Sequence, residues 1–176
     1  EGSSRRLLFH GTRRVNLANI LTNGFKLRNN AVKVGSMFDS GLYFAANSSK
    51  SFQYTFGKSD VLLACEVSLP GPLYEPTSAD PEATQTCKDN GFHGVCAKGK
   101  HTVKSWSSFA ADPNVKYASE FGTGPVDSTL LYDEIVVFDE KRVGIRYVLV
   151  VERLDKAGAP VQPEEKTAGG ATVAAD

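Results

Sequence analysis

The apolar residues of this chain are gathered in short runs, and nearly every run is closed by glycine, proline, asparagine or aspartate. The clearest run covers residues 61–69 and is followed directly by Pro70-Gly71-Pro72. Runs of this length between turn signals are typical of strands. No run approaches the roughly 18–20 residues that a membrane span needs. We therefore expect many short strands and no transmembrane segment.

Two helices are predicted near the start of the chain. Apolar residues recur at helical spacing over residues 17–21, and Asn23-Gly24 supplies a C-terminal stop. A second helix is expected to begin near Asn47 or Ser48, since both are good N-caps, and to continue through Tyr54.

The remaining elements are predicted to be strands and long loops. The strands are expected at residues 6–9, 41–45, 61–69, 135–138 and 143–151. The last two are joined by a polar turn and form a predicted hairpin. Loops are expected at residues 29–40 and 75–105. This mixture predicts an α+β fold.

The length and composition indicate one domain. With 176 residues, 41% of them hydrophobic, the chain can bury its own core. We place this domain at residues 5–154. Residues 155–176 contain no aromatic side chain, and half of them are Ala, Gly or Pro, so a disordered tail is predicted there.

The formal net charge is zero, which excludes a generally basic nucleic-acid binder. The charge is unevenly distributed, because residues 1–60 hold nine Lys/Arg against three Asp/Glu. This excess could attract an anion or could be solvated surface. Three cysteines are too few for a disulfide framework, so we expect a reducing compartment, the cytoplasm or nucleus.

Three features carry possible chemistry, and the first is His10-Gly11-Thr12 after the first predicted strand. A glycine next to histidine lets the backbone approach a ligand closely, and its N–H and C=O groups can bond a planar amide. The alternative is an ordinary turn, which is the commoner explanation of these three residues when they are taken alone.

The second feature is a set of aromatic and polar residues at residues 41–54. Tyr43 lies in a predicted strand, while Asn47, Ser51 and Tyr54 share one face of the second helix. Such a group suits a flat heteroaromatic ligand. The alternative is a tyrosine packed on the core with its hydroxyl at the surface.

The third feature is the acidic pair Asp133-Glu134 in an otherwise apolar run. If one carboxylate faces solvent, strand alternation directs the other to the opposite, buried face. A buried carboxylate needs an ion-pair or hydrogen-bond partner, or it has a functional role. The alternative is a strand that begins only at Ile135, with both acids left in a turn.

In this order the three features resemble the catalytic domain of the poly(ADP-ribose) polymerases, the diphtheria-toxin-like ADP-ribosyltransferases with a His-Tyr-Glu triad. The resemblance covers most of residues 6–152, and its matching stretches lie at residues 8–21, 35–45, 49–54, 98–104 and 130–147. It implies two small, mostly antiparallel sheets around a cleft that binds NAD⁺ as co-substrate, with no metal.

The resemblance also implies which residues hold the nicotinamide half of NAD⁺. The Gly11 backbone and the Ser51 hydroxyl would bind the carboxamide, while Tyr54 and Tyr43 would lie on either side of the ring. Glu134 would be the main catalytic residue, since a carboxylate stabilises the oxocarbenium-like ribose and can orient the incoming nucleophile.

On the adenosine side, the resemblance implies contacts from His10, Thr12, Asn16 and Lys26. His10, as a member of the triad with Tyr43 and Glu134, would bond the adenosine ribose.

The resemblance further implies a monomer that modifies protein side chains, including its own. The family's acceptor loop corresponds to residues 122–129 and looks short, which favours mono-ADP-ribosylation. Alternatives are poly-ADP-ribose synthesis, a non-catalytic NAD⁺ or ADP-ribose binding module, and transfer to nucleic-acid ends. A zinc site at Cys87, His93, Cys96 and His101 is a further alternative, although its spacing matches no standard finger.

Overall fold

The computed structural model describes residues 4–27, 36–55 and 61–152. The strands in these ranges are β1 (Arg5–Gly11), β2 (Leu42–Phe44), β3 (Val61–Ser68), β4 (Val95–Ala97), β5 (His101–Phe109), β6 (Asp112–Thr123), β7 (Glu134–Val137) and β8 (Val143–Val150). The helices are α1 (Arg14–Asn23), α2 (Ser48–Gln53), α3 (Ala83–Asn90) and a 3-10 turn at Glu140–Arg142. The predicted tail at 155–176 and the first part of the predicted loop at 29–40 lie outside the described residues.

The strands form two sheets. The larger sheet has the order β5-β6-β1-β3-β8, and all its pairs are antiparallel except β1 with β6. The smaller sheet has the order β2-β7-β4 and is antiparallel. The α+β class predicted from the sequence is confirmed, and so are the two small, mostly antiparallel sheets that the resemblance implies.

The two predicted helices are also confirmed. α1 ends at Asn23, and Gly24 follows with a φ of 71°, a conformation that glycine adopts at little cost. α2 is capped by Asn47, whose side chain accepts hydrogen bonds from the backbone N–H groups of Ser49 and Lys50. None of the helices in the described ranges has the length and apolar character needed to cross a membrane.

Strand β3 lies between β1 and β8 in the larger sheet, and residues on both of its faces are buried. Four successive residues, Leu62 to Cys65, are at most 3% exposed. A strand with both faces covered needs a continuous apolar run rather than an alternating one, and residues 61–65 supply it.

Strand β7 is the centre of the smaller sheet, and all four of its residues are buried. Ile135 and Val137 pack in a hydrophobic core to which both sheets contribute. Val136 points the other way and packs with Phe38 and with residues of α3. Glu134 therefore begins a strand that has no solvent-exposed face.

The predicted hairpin at residues 135–151 is wrong. β7 pairs with β2 and β4, whereas β8 pairs with β3 in the other sheet. The 3-10 turn Glu140–Arg142 carries the chain from one sheet to the other. Two apolar strands joined by a short polar turn favour pairing with each other. In this fold each of them pairs instead with strands that are distant in sequence.

The predicted long loop at residues 75–105 is also partly wrong, because it contains α3, β4 and the start of β5. Only Ala83 and Cys87 of α3 are buried, so the helix has almost no apolar periodicity to detect. β4 has three residues, which is too short to recognise from alternation.

Candidate active site

An open cavity of about 410 Å³ lies where β1, β2, α2 and the beginning of β7 meet. Its volume falls in the range of small-molecule sites. It is lined by His10, Gly11, Ser36, Met37, Tyr43, Phe44, Ala45, Lys50, Ser51, Tyr54 and Glu134. Six of the nine residues predicted from the sequence are in this group: His10, Gly11, Tyr43, Ser51, Tyr54 and Glu134.

The register of the smaller sheet brings Tyr43 and Glu134 to the same wall of the cavity. Tyr43 is paired directly with Val136, and Glu134 lies two residues before Val136 on β7. Paired residues and residues two apart on a strand project from the same face. Two side chains distant in sequence therefore meet because β2 and β7 are neighbours.

Glu134 forms a buried ion pair with Lys50 of α2. The Lys50 Nζ lies 2.7 Å from the Glu134 Oε1, and the two side chains are 16% and 5% exposed. Burial alone would lower the pKa of Lys50, but the hydrogen bond and the charge of Glu134 outweigh burial and raise it. The Lys50 ammonium also lies 5.4 Å from the centre of the Tyr54 ring. Lys50 thus connects the carboxylate to an aromatic wall of the cavity.

Both members of the acidic pair are buried, so the expectation that one faces solvent is wrong. The alternative of a turn at both acids is wrong as well, because β7 begins at Glu134. Asp133 accepts hydrogen bonds from the Gly99 N–H (2.8 Å), the Thr102 hydroxyl (2.8 Å) and the Val103 N–H (3.0 Å). The two carboxylates diverge as strand alternation predicts, but each meets polar partners inside the protein.

His10 is fixed by a hydrogen bond between its Nδ1 and the backbone oxygen of Tyr43, at 2.9 Å. Its ring also lies edge-on to the ring of Phe25, with centroids 4.8 Å apart. Burial lowers the pKa of His10, which favours the neutral ring. The neutral ring then carries its proton on Nδ1 and donates it to the carbonyl, so Nε2 remains as a hydrogen-bond acceptor.

The lowered pKa of His10 predicts a pH-dependent stability. Between the lowered pKa and the ordinary value of 6.5, the unfolded chain binds a proton that the folded chain does not. The free energy of unfolding therefore rises with pH through this window, and the contribution of His10 reaches its full value above it. We expect the His10→Gln variant to lose less stability than the wild type between pH 7.5 and pH 5.5. The difference is at most about 1.4 kcal/mol per pH unit, the slope for one proton.

Chemical denaturation at several pH values measures this difference. His101→Gln is the matched control, because His101 is exposed and does not line the cavity. Equal pH slopes for the wild type and the His10→Gln variant would contradict the prediction.

The Tyr43 hydroxyl is hydrogen-bonded to the backbone of the loop that precedes β2. It donates to the Asp39 backbone oxygen (2.9 Å) and accepts from the Phe38 N–H (2.8 Å). Asp39 has a φ of +58°, an uncommon backbone conformation for a residue other than glycine. Burial raises the pKa of Tyr43 to about 12, so the phenol stays protonated. Tyr43 therefore offers a ligand its ring rather than its hydroxyl.

Gly11 and Ser51 are in close contact at the inner end of the cavity. A Cβ on Gly11 would overlap the backbone carbonyl of Ser51, so only glycine fits at this position. The Ser51 side chain is buried, and its Oγ donates to the Phe9 backbone oxygen at 2.8 Å. Gly11 belongs to β1, so the strand continues two residues beyond its predicted end at Phe9 and includes the first two residues of the predicted turn.

The other three predicted contacts do not line the cavity. Thr12 is buried and accepts a hydrogen bond from the Asn16 side chain at 3.3 Å. Lys26 forms an ion pair with Glu140 at 3.0 Å, on the connection between β7 and β8. The proposed contacts of Thr12, Asn16 and Lys26 with the adenosine side stay predictions.

Lys50 is the most important cavity residue that the sequence reasoning missed. The sequence did contain an indication of its role, because a carboxylate predicted to be buried requires a cationic partner. Lys50 lies next to Ser51, on the helix already assigned to the site.

The alternative zinc site is not assembled by the described residues. Cys87 and Cys96 pack in different hydrophobic cores, and the ring of His101 lies beside that of Tyr132. In the described part of the chain, no group of three or more His, Cys, Asp or Glu side chains could hold a metal ion.

Comparisons with known proteins give the family of this chain. A family model described as "Poly(ADP-ribose) polymerase catalytic domain" matches residues 1–153. The chain is 35% identical over 155 residues to poly [ADP-ribose] polymerase 2 of Caenorhabditis elegans, covering 85% of this chain and 28% of that protein. It is 34% identical over 160 residues to poly [ADP-ribose] polymerase 1 of Gallus gallus, covering 83% of this chain and 15% of that protein. The chain thus spans less than a third of the length of either relative.

Proposed function

Because the chain belongs to the poly(ADP-ribose) polymerase catalytic domain family, a family of NAD⁺ ADP-ribosyltransferases, we propose that it transfers ADP-ribose from NAD⁺ to protein side chains and releases nicotinamide. The observation that carries this proposal is the buried pair of Glu134 and Lys50 on the wall of a cavity that also contains two tyrosine rings. A carboxylate held in this way can stabilise the positive charge of a cationic transition state.

The nicotinamide half of NAD⁺ fits the inner end of the cavity. The absence of a side chain at Gly11 lets a planar carboxamide reach the β1 backbone. The Ser51 hydroxyl donates to Phe9, so it is left to accept a hydrogen bond from the carboxamide N–H. Tyr54, which is 46% exposed, and Tyr43 supply rings for stacking on the nicotinamide.

His10 is suited to hold a ribose. Its Nδ1 is engaged by the Tyr43 backbone oxygen, so Nε2 is the ring nitrogen left to accept a hydrogen bond from a ribose hydroxyl. The packing of His10 against Phe25 and Phe44 fixes the ring orientation before a ligand arrives.

Glu134 acts on the bond between the ribose C1′ and the nicotinamide nitrogen. When that bond breaks, its electron pair stays on nitrogen, nicotinamide leaves as a neutral molecule, and the positive charge moves to the ribose. The Glu134 carboxylate stabilises this charge, bonds the adjacent ribose hydroxyl and orients the acceptor, whose proton is released as the new C1′ bond forms. Lys50 holds the carboxylate in place and balances its charge in the free enzyme.

We infer that the product is a single ADP-ribose unit or a short chain. β6 ends at Thr123, so only residues 124–129 of the family's acceptor loop remain as a loop. Synthesis of long chains is the second candidate, and the printed names of the relatives, poly [ADP-ribose] polymerases, favour it. A purely binding module is disfavoured because Glu134 is present and paired.

Intact-mass spectrometry after incubation with NAD⁺ tests the function and the product together. We expect self-modified protein heavier by one or a few ADP-ribose units, and free nicotinamide in proportion. A long ladder of mass increments would favour chain synthesis. An unchanged mass, with no nicotinamide released in the presence of added acceptor proteins or phosphorylated oligonucleotides, would contradict the proposed function.

A further inference from the structure

Asp133 is a buried carboxylate next to the proposed catalytic residue, and it does not line the cavity. Both of its oxygens are used. Oδ1 accepts from the Gly99 N–H, and Oδ2 accepts from the Thr102 hydroxyl and the Val103 N–H. All three donors therefore find an acceptor on the Asp133 side chain.

These bonds tie residues 99–103 to the segment that leads into β7. The same two segments are joined by backbone bonds from Lys100 N–H to Leu130 O and from His101 N–H to Leu131 O, each 2.9 Å. The approach is close, because a Cβ on Gly99 would overlap the Tyr132 backbone. Asp133 thus joins the two segments by side-chain hydrogen bonds directly before the chain reaches Glu134.

The Asp133 hydrogen bonds matter for the position of the Glu134 backbone, because Glu134 has a strand partner on one side of β7 only. β2 pairs with β7 no further than Ile135, opposite Phe44, so Glu134 has no partner in β2. Its strand partner is Ala97 of β4. The backbone at Glu134 is therefore fixed by β4 on one side and by the Asp133 hydrogen bonds immediately before it.

We propose that Asp133 is a positioning residue that sets the backbone at Glu134, and thereby the place of the Glu134 carboxylate against Lys50 and the substrate. This inference rests on the proposed function, since the position of Glu134 matters for rate only if Glu134 acts in transfer. Misplacement of a catalytic group by about 1 Å can cost roughly a hundredfold in rate. Loss of the Asp133 bonds should therefore lower kcat and leave NAD⁺ binding nearly unchanged, because the other residues that line the cavity lie between positions 10 and 54, away from the Asp133 bonds.

Two sets of variants test this role through nicotinamide release. Asp133→Asn keeps the side-chain shape but presents a donor to one of the three N–H or O–H groups. Thr102→Val removes one donor with little change of shape, and Thr102→Ser is its matched control, because it retains the hydroxyl. We expect kcat to fall about tenfold to a hundredfold in Asp133→Asn and less in Thr102→Val. The KM for NAD⁺ should stay within about threefold, and Thr102→Ser should recover the wild-type rate.

A second readout does not depend on activity. The ¹³C resonance of the Glu134 carboxyl, assigned by its loss in Glu134→Gln, should move in Asp133→Asn and Thr102→Val but not in Thr102→Ser. A stationary resonance, or a fall in kcat no larger than the unfolded fraction measured by thermal unfolding, would overturn the proposal. If Asp133→Asn does not fold, the Thr102 pair decides. If the wild type releases no nicotinamide, the proposed function fails, and the resonance still decides whether Asp133 positions Glu134.

Discussion

The Glu134→Gln variant is expected to release nicotinamide roughly 10²–10³-fold more slowly than the wild type, because it lacks the charge that stabilises the ribose cation. The amide oxygen can still accept a hydrogen bond from Lys50, which lies 2.7 Å from the carboxylate, so the local geometry should be kept. Affinity for NAD⁺ should therefore stay within about threefold. Steady-state rates of nicotinamide release and a calorimetric titration with NAD⁺ measure the two quantities separately.

Glu120→Gln is the matched control for this change. Glu120 is an exposed residue of β6 that bonds the Ser105 hydroxyl at 2.9 Å, and it is not part of the cavity. The same chemical change there should leave the rate at the wild-type value. If Glu134→Gln turned over NAD⁺ as fast as Glu120→Gln, the carboxylate would have no part in the chemistry, and another residue would have to be found.

The Gly11→Ala variant is expected to lose more than about tenfold in NAD⁺ affinity and about 1–3 kcal/mol in the free energy of unfolding. The added methyl group would overlap the Ser51 carbonyl, so β1 and α2 must move apart. That movement displaces the Ser51 hydroxyl and the Tyr54 ring, which form one wall of the cavity. Urea denaturation and NAD⁺ titration report the two losses.

Gly144→Ala provides the comparison for this variant. Gly144 lies in β8, and a Cβ there meets no atom within 4 Å. We expect its stability to stay within about 0.5 kcal/mol of the wild type, with unchanged NAD⁺ binding. Wild-type binding and stability in Gly11→Ala would show that the close approach of β1 to α2 has no functional value.

The elements that could be predicted from the sequence are those with strong local signals. α2 was recognisable because Asn47 is a good N-cap, and the end of α1 because Gly24 follows it. β3 was recognisable because it is buried on both faces and so carries a continuous apolar run. For the site, the family resemblance identified His10, Tyr43 and Glu134 as a set, and these three residues line one cavity.

The features that could not be predicted depend on which distant segments meet. β7 and β8 read as a hairpin, yet their partners are β2, β4 and β3, and no local pattern encodes that choice. β5 carries serines at positions 105, 107 and 108, which hides its alternation. The partner of Lys50 was hidden for the same reason, because the ion pair with Glu134 depends on where the fold places α2 relative to β7, although the position of Lys50 beside Ser51 offered a signal.

The order of the larger sheet has a consequence for synthesis of the chain. β3 is completed on one side by β1, which precedes it, but on the other side by β8, the last strand in the described residues. A ribosome that has released everything through residue 140 has already delivered His10, Tyr43 and Glu134, yet β3 still presents an open, apolar edge. Open strand edges of this kind invite pairing with other chains. The nascent domain therefore carries all of its proposed catalytic residues before β8 covers the edge of β3. A premature stop between Glu134 and β8 would leave a product that tends to aggregate rather than a smaller enzyme.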